Sequence, residues 1–305
     1  MKTNSFLTGG AAPWVRRMAG AALALALAAC AGKSGEGSPE GGSGGGGSGG
    51  RGITLISREE GSGTRSAFVE LFGVLDEAKQ DATSAGAEIT NNTAVMIASV
   101  AGDQGAVGYI SLGSLNDTVK ALRIDGAEAT AANVAAGVYG ISRPFNIALR
   151  GEPSPQVREF VDFILSREGQ DVVEKNGYIR IGGGGSFTGG RTSGRIVAAG
   201  SSSVTPVMEK LKEAYLAFNG GADIEIQQSD SSTGVNALIE GICDIGMASR
   251  ELKAGEREKG VEGITIAMDG IAVIVNHKNP LTDLSKDRVR AIFTGEISSW
   301  EDAGR

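Results

Sequence analysis

From residue 51 to the end of the chain, short apolar runs alternate with longer segments in which apolar residues recur every three or four positions. Residues 53–56 have the length of a buried β-strand, and residues 66–75 place their apolar side chains on one helical face. The same pattern predicts strands at residues 107–110, 196–199, 224–226, 264–267 and 271–275, and helices that begin near residues 154, 205 and 234. Strands that alternate with helices indicate an α/β fold.

The N-terminus has a different pattern. Basic residues precede an apolar run over residues 18–29, which is too short to span a bilayer and has the length of a signal-peptide core. The run ends in Leu-Ala-Ala-Cys at Cys30, which resembles the lipobox of bacterial lipoproteins. We therefore expect a lipoprotein signal peptide at residues 1–29 and lipidation of Cys30, followed by a flexible Gly/Ser tether that completes residues 30–50. A chance cysteine after a small-residue cleavage site is the alternative.

The composition of the chain narrows the classes of ligand and site that we expect. The 305 residues carry a net charge of −7, so the chain lacks the basic surface that nucleic-acid binding requires. Two cysteines and one histidine are too few for a Cys/His zinc site, and we expect neither metal nor cofactor. Cys243 is predicted to be a small buried apolar residue. His277 is predicted to be exposed in a polar turn, although a catalytic triad would depend on it.

The turn between the first predicted strand and the first predicted helix carries groups suited to an anion. Ser62, Gly63 and Thr64 offer N–H and hydroxyl donors at the positive end of the helix. Arg58 adds a planar double donor, and Glu60 is expected to hold its orientation. A capped helix start with surface charges is the alternative interpretation of this turn.

Two further strand-to-helix turns are rich in hydroxyl groups. Residues 200–206 read Gly-Ser-Ser-Ser-Val-Thr-Pro, and residues 228–234 read Gln-Ser-Asp-Ser-Ser-Thr-Gly. Ordinary helix capping explains either turn alone. Three such turns and an arginine in one chain favour a dehydrated cage for a tetrahedral oxyanion, because strand ends and helix N-termini gather at one edge of an α/β sheet.

Five segments resemble the substrate-binding protein of the high-affinity phosphate ABC importer. They are GSSSVTPVMEKL (200–211), DIGMASREL (244–252), DGIAVIVN (269–276), IFTGEISSW (292–300) and SREEGSGTRSAF (57–68). The resemblance covers nearly all of residues 51–305. It implies an α/β, two-lobed periplasmic-binding-protein-like fold of type II, which binds its ligand between the lobes and performs no chemistry.

The order of these segments differs from that of the family. In the family, the GSSSVTP-like segment comes first and the SREEGSGTR-like segment follows the TGEISSW-like one. The chain therefore resembles a circular permutant. Permutation is tolerated where the original ends are close and the new ends fall in an exposed loop, so we expect Arg51 and Arg305 to lie close together.

Matching the segments to the family also implies the two lobes. Residues 51–136 and 273–305 are expected to build one discontinuous lobe, and residues 137–272 the other. A glycine-rich linker at residues 182–194 lies within the second lobe and joins the segments that would be the original ends.

The resemblance implies which residues contact the ligand. They are Arg58, Ser62, Gly63, Thr64, Ser202, Ser203, Ser231 and Ser249. Further candidates for supporting contacts are Glu60, Arg65, Arg250 and Ser232. Better-known members of the family carry an aspartate at the position of Ser249, where it accepts the phosphate proton and excludes sulfate. A serine there leaves anion binding in place but puts selection against sulfate in question.

The resemblance implies an exported, membrane-anchored, monomeric lipoprotein that captures inorganic phosphate for an ABC importer permease. Three alternatives stay open. One is the binding of another tetrahedral oxyanion such as sulfate. Another is a serine hydrolase or phosphatase, which the lack of a histidine or metal cluster beside the Ser-rich turns disfavours. The third is a rearranged or constructed gene product that binds phosphate but docks to no transporter.

Overall fold

The computed structural model describes residues 52–182 and 184–305. The signal peptide expected at residues 1–29, the lipidation site at Cys30, the tether and Arg51 lie outside the described residues. Within the described ranges, no helix is both long and apolar enough to cross a membrane.

The strands of the described residues are mostly short. They are β1 (Thr54–Arg58), β2 (Glu88–Thr90), β3 (Ala106–Ser111), β4 (Lys120–Ala121), β5 (Arg123–Ile124), β6 (Ser142–Arg150), β7 (Gly194–Ser201), β8 (Ala222–Ser229), β9 (Ile245–Ala248), β10 (Val261–Val275) and β11 (Asp283–Leu284).

The helices of the described residues are interspersed with these strands along the chain. They are α1 (Gly63–Phe72), α2 (Thr93–Gly102), α3 (Ala131–Ala135), α4 (Pro155–Leu165), α5 (Arg167–Lys175), α6 (Thr205–Phe218), α7 (Ser231–Ile239), α8 (Ala254–Arg257), α9 (Lys286–Thr294) and α10 (Trp300–Ala303). Helices α1 and α7 begin about one turn earlier than predicted, because the side chains of Ser62 and Asp230 cap them. Their polar residues therefore form first helical turns rather than loops.

Nine of these strands form a mixed sheet in the order β2-β1-β3-β10-β6-β9-β7-β8, with β4 also paired to β10, and β5 and β11 form a separate two-stranded sheet. Strand β1 is parallel to β2 and β3, and β7 is parallel to β8 and β9. Strand β10 is antiparallel to β3 and β6. Every residue of β3 is buried, as expected for a central strand covered on both faces.

Two separate packed cores lie along this sheet. We call residues 52–141 and 271–305, which contain one of these cores, lobe 1, and residues 142–182 and 184–270, which contain the other, lobe 2. The two-lobed α/β fold that the sequence indicated is confirmed.

Strand β10 belongs to both lobes. Up to Gly270 it pairs with β6 of lobe 2, and from Ile271 onward it pairs with β3 of lobe 1. The sequence pattern predicted two strands here, because Asp269 and Gly270 interrupt the apolar run. The structure instead has one continuous strand of 15 residues.

Lobe 1 brings the two ends of the described chain together. Gly52 forms a β-bridge with Ser299, although they lie at opposite ends of the sequence. Phe68 of α1 packs against Phe293 of α9, with ring centroids 4.5 Å apart. Segments from both ends of the chain therefore share one sheet and one core.

The glycine-rich segment 184–194 is docked on lobe 2. The ring of Phe187 packs against Phe163, with centroids 5.2 Å apart. The N–H of Phe187 donates to Oε2 of Glu168 at 2.7 Å, and the N–H of Gly190 donates to Oε1 of Glu159 at 2.8 Å. The segment predicted as a linker therefore contributes to the packing of the lobe.

Candidate functional site

Arg58 ends β1, and its side chain is only 2% exposed. Its Nε donates to Oε2 of Glu59 at 2.8 Å, and its Nη2 donates to Oε1 at 2.7 Å. The sequence analysis assigned this orienting role to Glu60, which was wrong. Glu60 is exposed in the following turn, so its adjacent neighbour Glu59 holds the guanidinium instead.

Behind Arg58, a buried tyrosine fixes the end of β1. The backbone N–H of Arg58 donates to the hydroxyl of Tyr109 at 3.2 Å, and the Ser57 hydroxyl lies 2.8 Å from the same oxygen. Burial raises the pKa of Tyr109 to about 12, so its hydroxyl stays protonated at neutral pH.

Arg58 and Thr64 of lobe 1 form hydrogen bonds with the turn between β7 and α6 in lobe 2. Nη2 of Arg58 donates to Oγ of Ser202 at 3.1 Å, and Oγ1 of Thr64 lies 2.8 Å from Oγ of Ser203. All four side chains are buried. The lobes are therefore in direct polar contact at this point.

The turn before α7 supplies a second group of hydroxyls in lobe 2. The N–H of Ser249 donates to Oγ of Ser231 at 3.1 Å, and Oγ of Ser201 donates to Oγ of Ser249 at 2.9 Å. Gly234 makes this arrangement possible, because a Cβ there would lie 2.4 Å from the carbonyl oxygen of Ala199. Only glycine lets α7 approach β7 so closely.

Gly63, the first residue of α1, touches the opposite lobe. A Cβ at this position would lie 2.4 Å from Oγ of Ser231 and 2.8 Å from Oγ of Ser249. Ser62 precedes it, is buried and caps the helix by accepting from the N–H of Arg65 at 3.3 Å. The positive end of α1 is thus brought against the serines of lobe 2.

The sequence analysis missed Thr93, the first residue of α2. Its Oγ1 lies 3.4 Å from the hydroxyls of both Ser202 and Ser203, and the residue is 6% exposed. Residues 90–93, Thr-Asn-Asn-Thr, connect the end of β2 to the start of α2 and are all polar, like the three turns that the pattern identified. The same criterion could have found this residue.

Arg65 supports the site from outside. Its Nη1 donates to the backbone carbonyl of Arg58 at 2.8 Å, and its Nε donates to Oδ2 of Asp81 at 2.7 Å. Arg65 therefore helps to fix the end of β1.

Arg250 is bound by a carboxylate of its own lobe. Its Nη1 and Nη2 donate to the two oxygens of Glu256 at 2.9 and 2.7 Å, and Nη2 also donates to Oγ of Ser232 at 3.2 Å. Burial alone would raise the pKa of Glu256, but hydrogen bonds from Arg250 and Lys253 lower it, so the carboxylate stays ionised. Arg250 therefore orients Ser232 at the start of α7.

We call the inner group of buried residues the cage. It consists of Arg58, Ser62, Gly63, Thr64, Thr93, Ser202, Ser203, Ser231 and Ser249. Hydroxyls, helix N-termini and one guanidinium are donors suited to a tetrahedral oxyanion. No carboxylate or imidazole belongs to this group of described residues.

The described residues outside the cage add no catalytic group to it. His277 is exposed, as predicted, and its Nε2 lies 2.7 Å from the backbone carbonyl of Asp117 in a different part of lobe 1. Across residues 52–182 and 184–305, no cluster of three or more His, Cys, Asp or Glu side chains could hold a metal ion. Cys243 is buried, as predicted, and burial raises the pKa of its thiol to about 11.

Comparison with known proteins identifies the family. A family model described as a PBP superfamily domain matches residues 36–168 and 185–305. Phosphate-binding protein PstS 2 of Streptococcus agalactiae serotype V is 54% identical over 258 residues, which cover 83% of this chain and 88% of the relative. PstS of Bacillus subtilis is 34% identical over a shorter stretch of 116 residues, 37% of this chain and 39% of the relative.

A solved structure agrees with these matches. The crystal structure of a phosphate ABC transporter phosphate-binding protein from Streptococcus pneumoniae TIGR4 is 41% identical, with a TM-score of 0.66. The match covers 83% of this chain and 99% of that chain. The chain therefore belongs to the PBP superfamily and, within it, to the PstS family of phosphate-binding proteins.

Proposed function

We propose that this chain binds inorganic phosphate in the cage. The observation that carries the proposal is the convergence of four strand-to-helix turns, two from each lobe, on one set of buried hydroxyl and N–H donors. Its similarity to proteins named as phosphate-binding supports the choice of ligand.

Binding in such a cage replaces the water around the anion with fixed donors. Hydrogen bonds from N–H, hydroxyl and guanidinium groups to an anion are stronger than bonds between neutral partners. The first turns of α1 and α7 add the positive ends of two helix dipoles. Because the donors come from both lobes, the ligand is held only when the lobes are closed on each other.

Titration calorimetry tests the proposal. The mature chain with Cys30→Ser is expected to bind one phosphate per molecule. At a phosphate concentration about 100-fold above the dissociation constant, binding should stabilise the fold by about 2.7 kcal/mol. An unchanged melting temperature at millimolar phosphate would exclude this function.

Sulfate is the rival ligand, since it has the same shape and accepts the same hydrogen bonds. A carboxylate in the cage would repel sulfate and accept the proton of phosphate, but the corresponding position is Ser249, which is fully buried and offers only a hydroxyl. We therefore expect sulfate to compete with phosphate measurably. Competition titrations in which a large excess of sulfate leaves phosphate affinity unchanged would contradict this expectation.

We propose that the protein binds its ligand without chemical turnover. A serine hydrolase or phosphatase requires a base beside the serine, and the hydroxyls of the cage contact other hydroxyls and an arginine. Measuring phosphate release from p-nitrophenyl phosphate tests this point. Release above the background of buffer would support the enzyme alternative.

We propose that the protein is exported, anchored by a lipid on Cys30, and delivers phosphate to an ABC importer permease. The sequence before residue 51 has the pattern of a lipoprotein signal and tether. Cys30→Ser is expected to move the protein from the membrane fraction to the soluble fraction of an expressing bacterium. A mature, cleaved Cys30→Ser chain that stays in the membrane fraction would contradict the lipid anchor.

We also propose that the segment order is a natural circular permutation. One alignment covers 83% of this chain and 88% of the S. agalactiae relative, so the two chains share the same segment order. When a permuted chain is aligned with a relative in the usual order, only one part of the two sequences can match at a time. The match with the B. subtilis relative covers 39% of that relative, as this explanation requires. The shared sheet and the bridge between Gly52 and Ser299 supply the geometry that a permutation needs.

A chain in the usual order tests the permutation. It would start at residue 195, run through Arg305 directly into Gly52, and end at residue 181. We expect this rearranged chain to fold and to bind phosphate within about threefold of the parent, because loop closure contributes little to equilibrium stability. An unfolded product would count against the permutation.

A further inference from the structure

Asp269 and Arg143 meet where β10 passes from lobe 2 to lobe 1. Oδ2 of Asp269 accepts from Nη2 of Arg143 at 3.2 Å, and Oδ1 accepts from Oγ of Ser111 at 2.9 Å. Ser111 belongs to β3 of lobe 1, and Arg143 lies near the start of β6. We call these three residues the crossover cluster.

Arg143 is buried with few partners. Its side chain is 2% exposed and lies over Phe145, with Cζ 5.3 Å from the ring centroid. Within residues 52–182 and 184–305, its Nε and Nη1 have no hydrogen-bond partner. Burying a guanidinium in this way is costly unless a negative charge compensates it.

Asp269 is the carboxylate partner of Arg143. It compensates the charge of Arg143 less well than the carboxylates that pair with the other arginines near the cage. Arg58, Arg65 and Arg250 each have a carboxylate contact of 2.7 Å. Arg143 has one contact, at 3.2 Å. In addition, burial raises the pKa of Asp269 to about 6, so its negative charge is costly to keep in the fold.

Arg143 lies beside the cage without belonging to it. It lines a crevice of about 370 Å³ between the lobes, together with Ser66 of α1 and Arg250 of lobe 2. Helix α1 begins in the cage at Gly63, where a Cβ would lie 3.1 Å from Cγ of Arg250. Burial lowers the pKa of Arg143, because its charge is costly to keep away from water.

We propose that Arg143 stabilises the bound anion by its charge, from behind the cage and without contacting the ligand. The inference rests on the proposed phosphate-binding function. A buried guanidinium whose one carboxylate contact lies at 3.2 Å is only partly compensated, so it attracts an anion in the neighbouring cage. The negative charge of Asp269 acts in the opposite sense and weakens anion binding. The charge of Arg143 therefore increases the affinity of the cage for the anion, although Arg143 lies outside the cage.

The experiment compares phosphate affinities of four variants by titration calorimetry at pH 7.5. We expect Arg143→Gln to weaken binding about tenfold, and Arg143→Lys to stay within about threefold of the parent because it keeps the charge. Asp269→Asn should bind severalfold more tightly than the parent. Arg150 lies at the exposed end of β6, the strand that contains Arg143. Arg150→Gln is therefore the matched control and should bind phosphate within about twofold of the parent.

The sign of the Asp269→Asn effect separates a charge effect from a structural role. A cluster that only holds the lobes in place would make Arg143→Gln, Arg143→Lys and Asp269→Asn all weaken binding, and that result would overturn the proposal. If Arg143→Gln does not fold, as judged by circular dichroism, two results still decide between these roles: whether Arg143→Lys binds like the parent and whether Asp269→Asn binds more tightly. A parent chain that binds no phosphate would instead refute the proposed function.

Discussion

The hydroxyl oxygens of Thr64 and Ser203 lie 2.8 Å apart, although 139 residues separate them in the sequence. One belongs to the first turn of α1 in lobe 1, and the other to the turn before α6 in lobe 2. A direct bond between them requires the two lobes to be closed. The cage therefore exists only in the closed arrangement, and opening the lobes divides its donors into two incomplete halves.

Replacing Arg58 by Ala is expected to weaken phosphate binding at least about 100-fold. The change removes the one guanidinium of the cage, and losing one partner of a buried charged contact costs about 3–5 kcal/mol. Calorimetry on the folded variant gives the affinity. Arg123→Ala is the control, because Arg123 pairs with Asp283 at the surface. Binding by Arg58→Ala within about threefold of the parent would remove Arg58 from the site.

Replacing Gly63 by Ala is expected to hinder closure of the lobes. The new Cβ would lie 2.4 Å from Oγ of Ser231, so either the lobes stay apart or the serine hydroxyl rotates out of the cage. We expect at least a tenfold loss of phosphate affinity, with a folded state as stable as that of the parent, because alanine suits a helix better than glycine.

Gly102→Ala is the matched control for this substitution. Gly102 ends α2, and a Cβ there would have open space around it. The control should bind phosphate like the parent, whereas small-angle scattering with saturating phosphate should show a larger radius of gyration for Gly63→Ala alone. Equal radii together with equal affinities would show that Gly63 does not control closure.

Replacing Thr93 by Val removes a hydroxyl while keeping the shape of the side chain. We expect a tenfold to hundredfold loss of phosphate affinity, because a hydrogen bond to a charged group contributes about 1.5–3 kcal/mol. Thr294→Val is the control, since its hydroxyl bonds within α9 to the carbonyl of Arg290. Unchanged affinity in Thr93→Val would mean that Thr93 only lines the outside of the cage.

The stability of the fold is expected to depend on pH through Asp269. Burial raises its pKa from 3.8 to about 6, so ionising this carboxyl is less favourable in the folded chain than in the unfolded one. The favourable contribution of Asp269 to the free energy of unfolding is therefore complete below about pH 4 and is lost as the pH rises through about 6. The carboxyls of Asp81 and Glu256, whose pKa values are lowered, act in the opposite direction.

Comparison with Asp269→Asn isolates this contribution, because the other carboxyls are common to both chains. The free energy of unfolding is measured by urea denaturation between pH 4 and pH 7.5. The stability of the parent relative to Asp269→Asn should fall between about pH 4 and pH 6 and level off at higher pH. A difference that is independent of pH would show that Asp269 has the same pKa in the folded and unfolded chains.

The apolar pattern predicted the elements of the fold, but their continuity depends on contacts distant in sequence. Asp269 and Gly270 break the apolar run locally, yet β10 continues because Arg143 and Ser111 satisfy the buried carboxylate. Similarly, the glycine-rich segment has the composition of a flexible linker. Its docking depends on Phe187, which finds its partners on α4 and α6.

The polar turns could be recognised from sequence as anion-binding turns, but the direction of each side chain could not. Glu59 and Glu60 both follow Arg58 directly in the sequence, and only the bend of the turn decides which one pairs with it. Arg250 was a candidate second cation, but its pairing with Glu256 depends on how the chain folds back into α8.

The bridge between Gly52 and Ser299 also constrains the order in which the protein can be completed. All strands of lobe 2 are present once residue 270 has emerged during synthesis. Lobe 1 begins to emerge first, but its core is incomplete until Phe293, which packs against Phe68, has been made. The lobe whose synthesis begins first is therefore the last to complete its core, and the cage, which needs both lobes, is stabilised by complete lobes only after Phe293 has emerged.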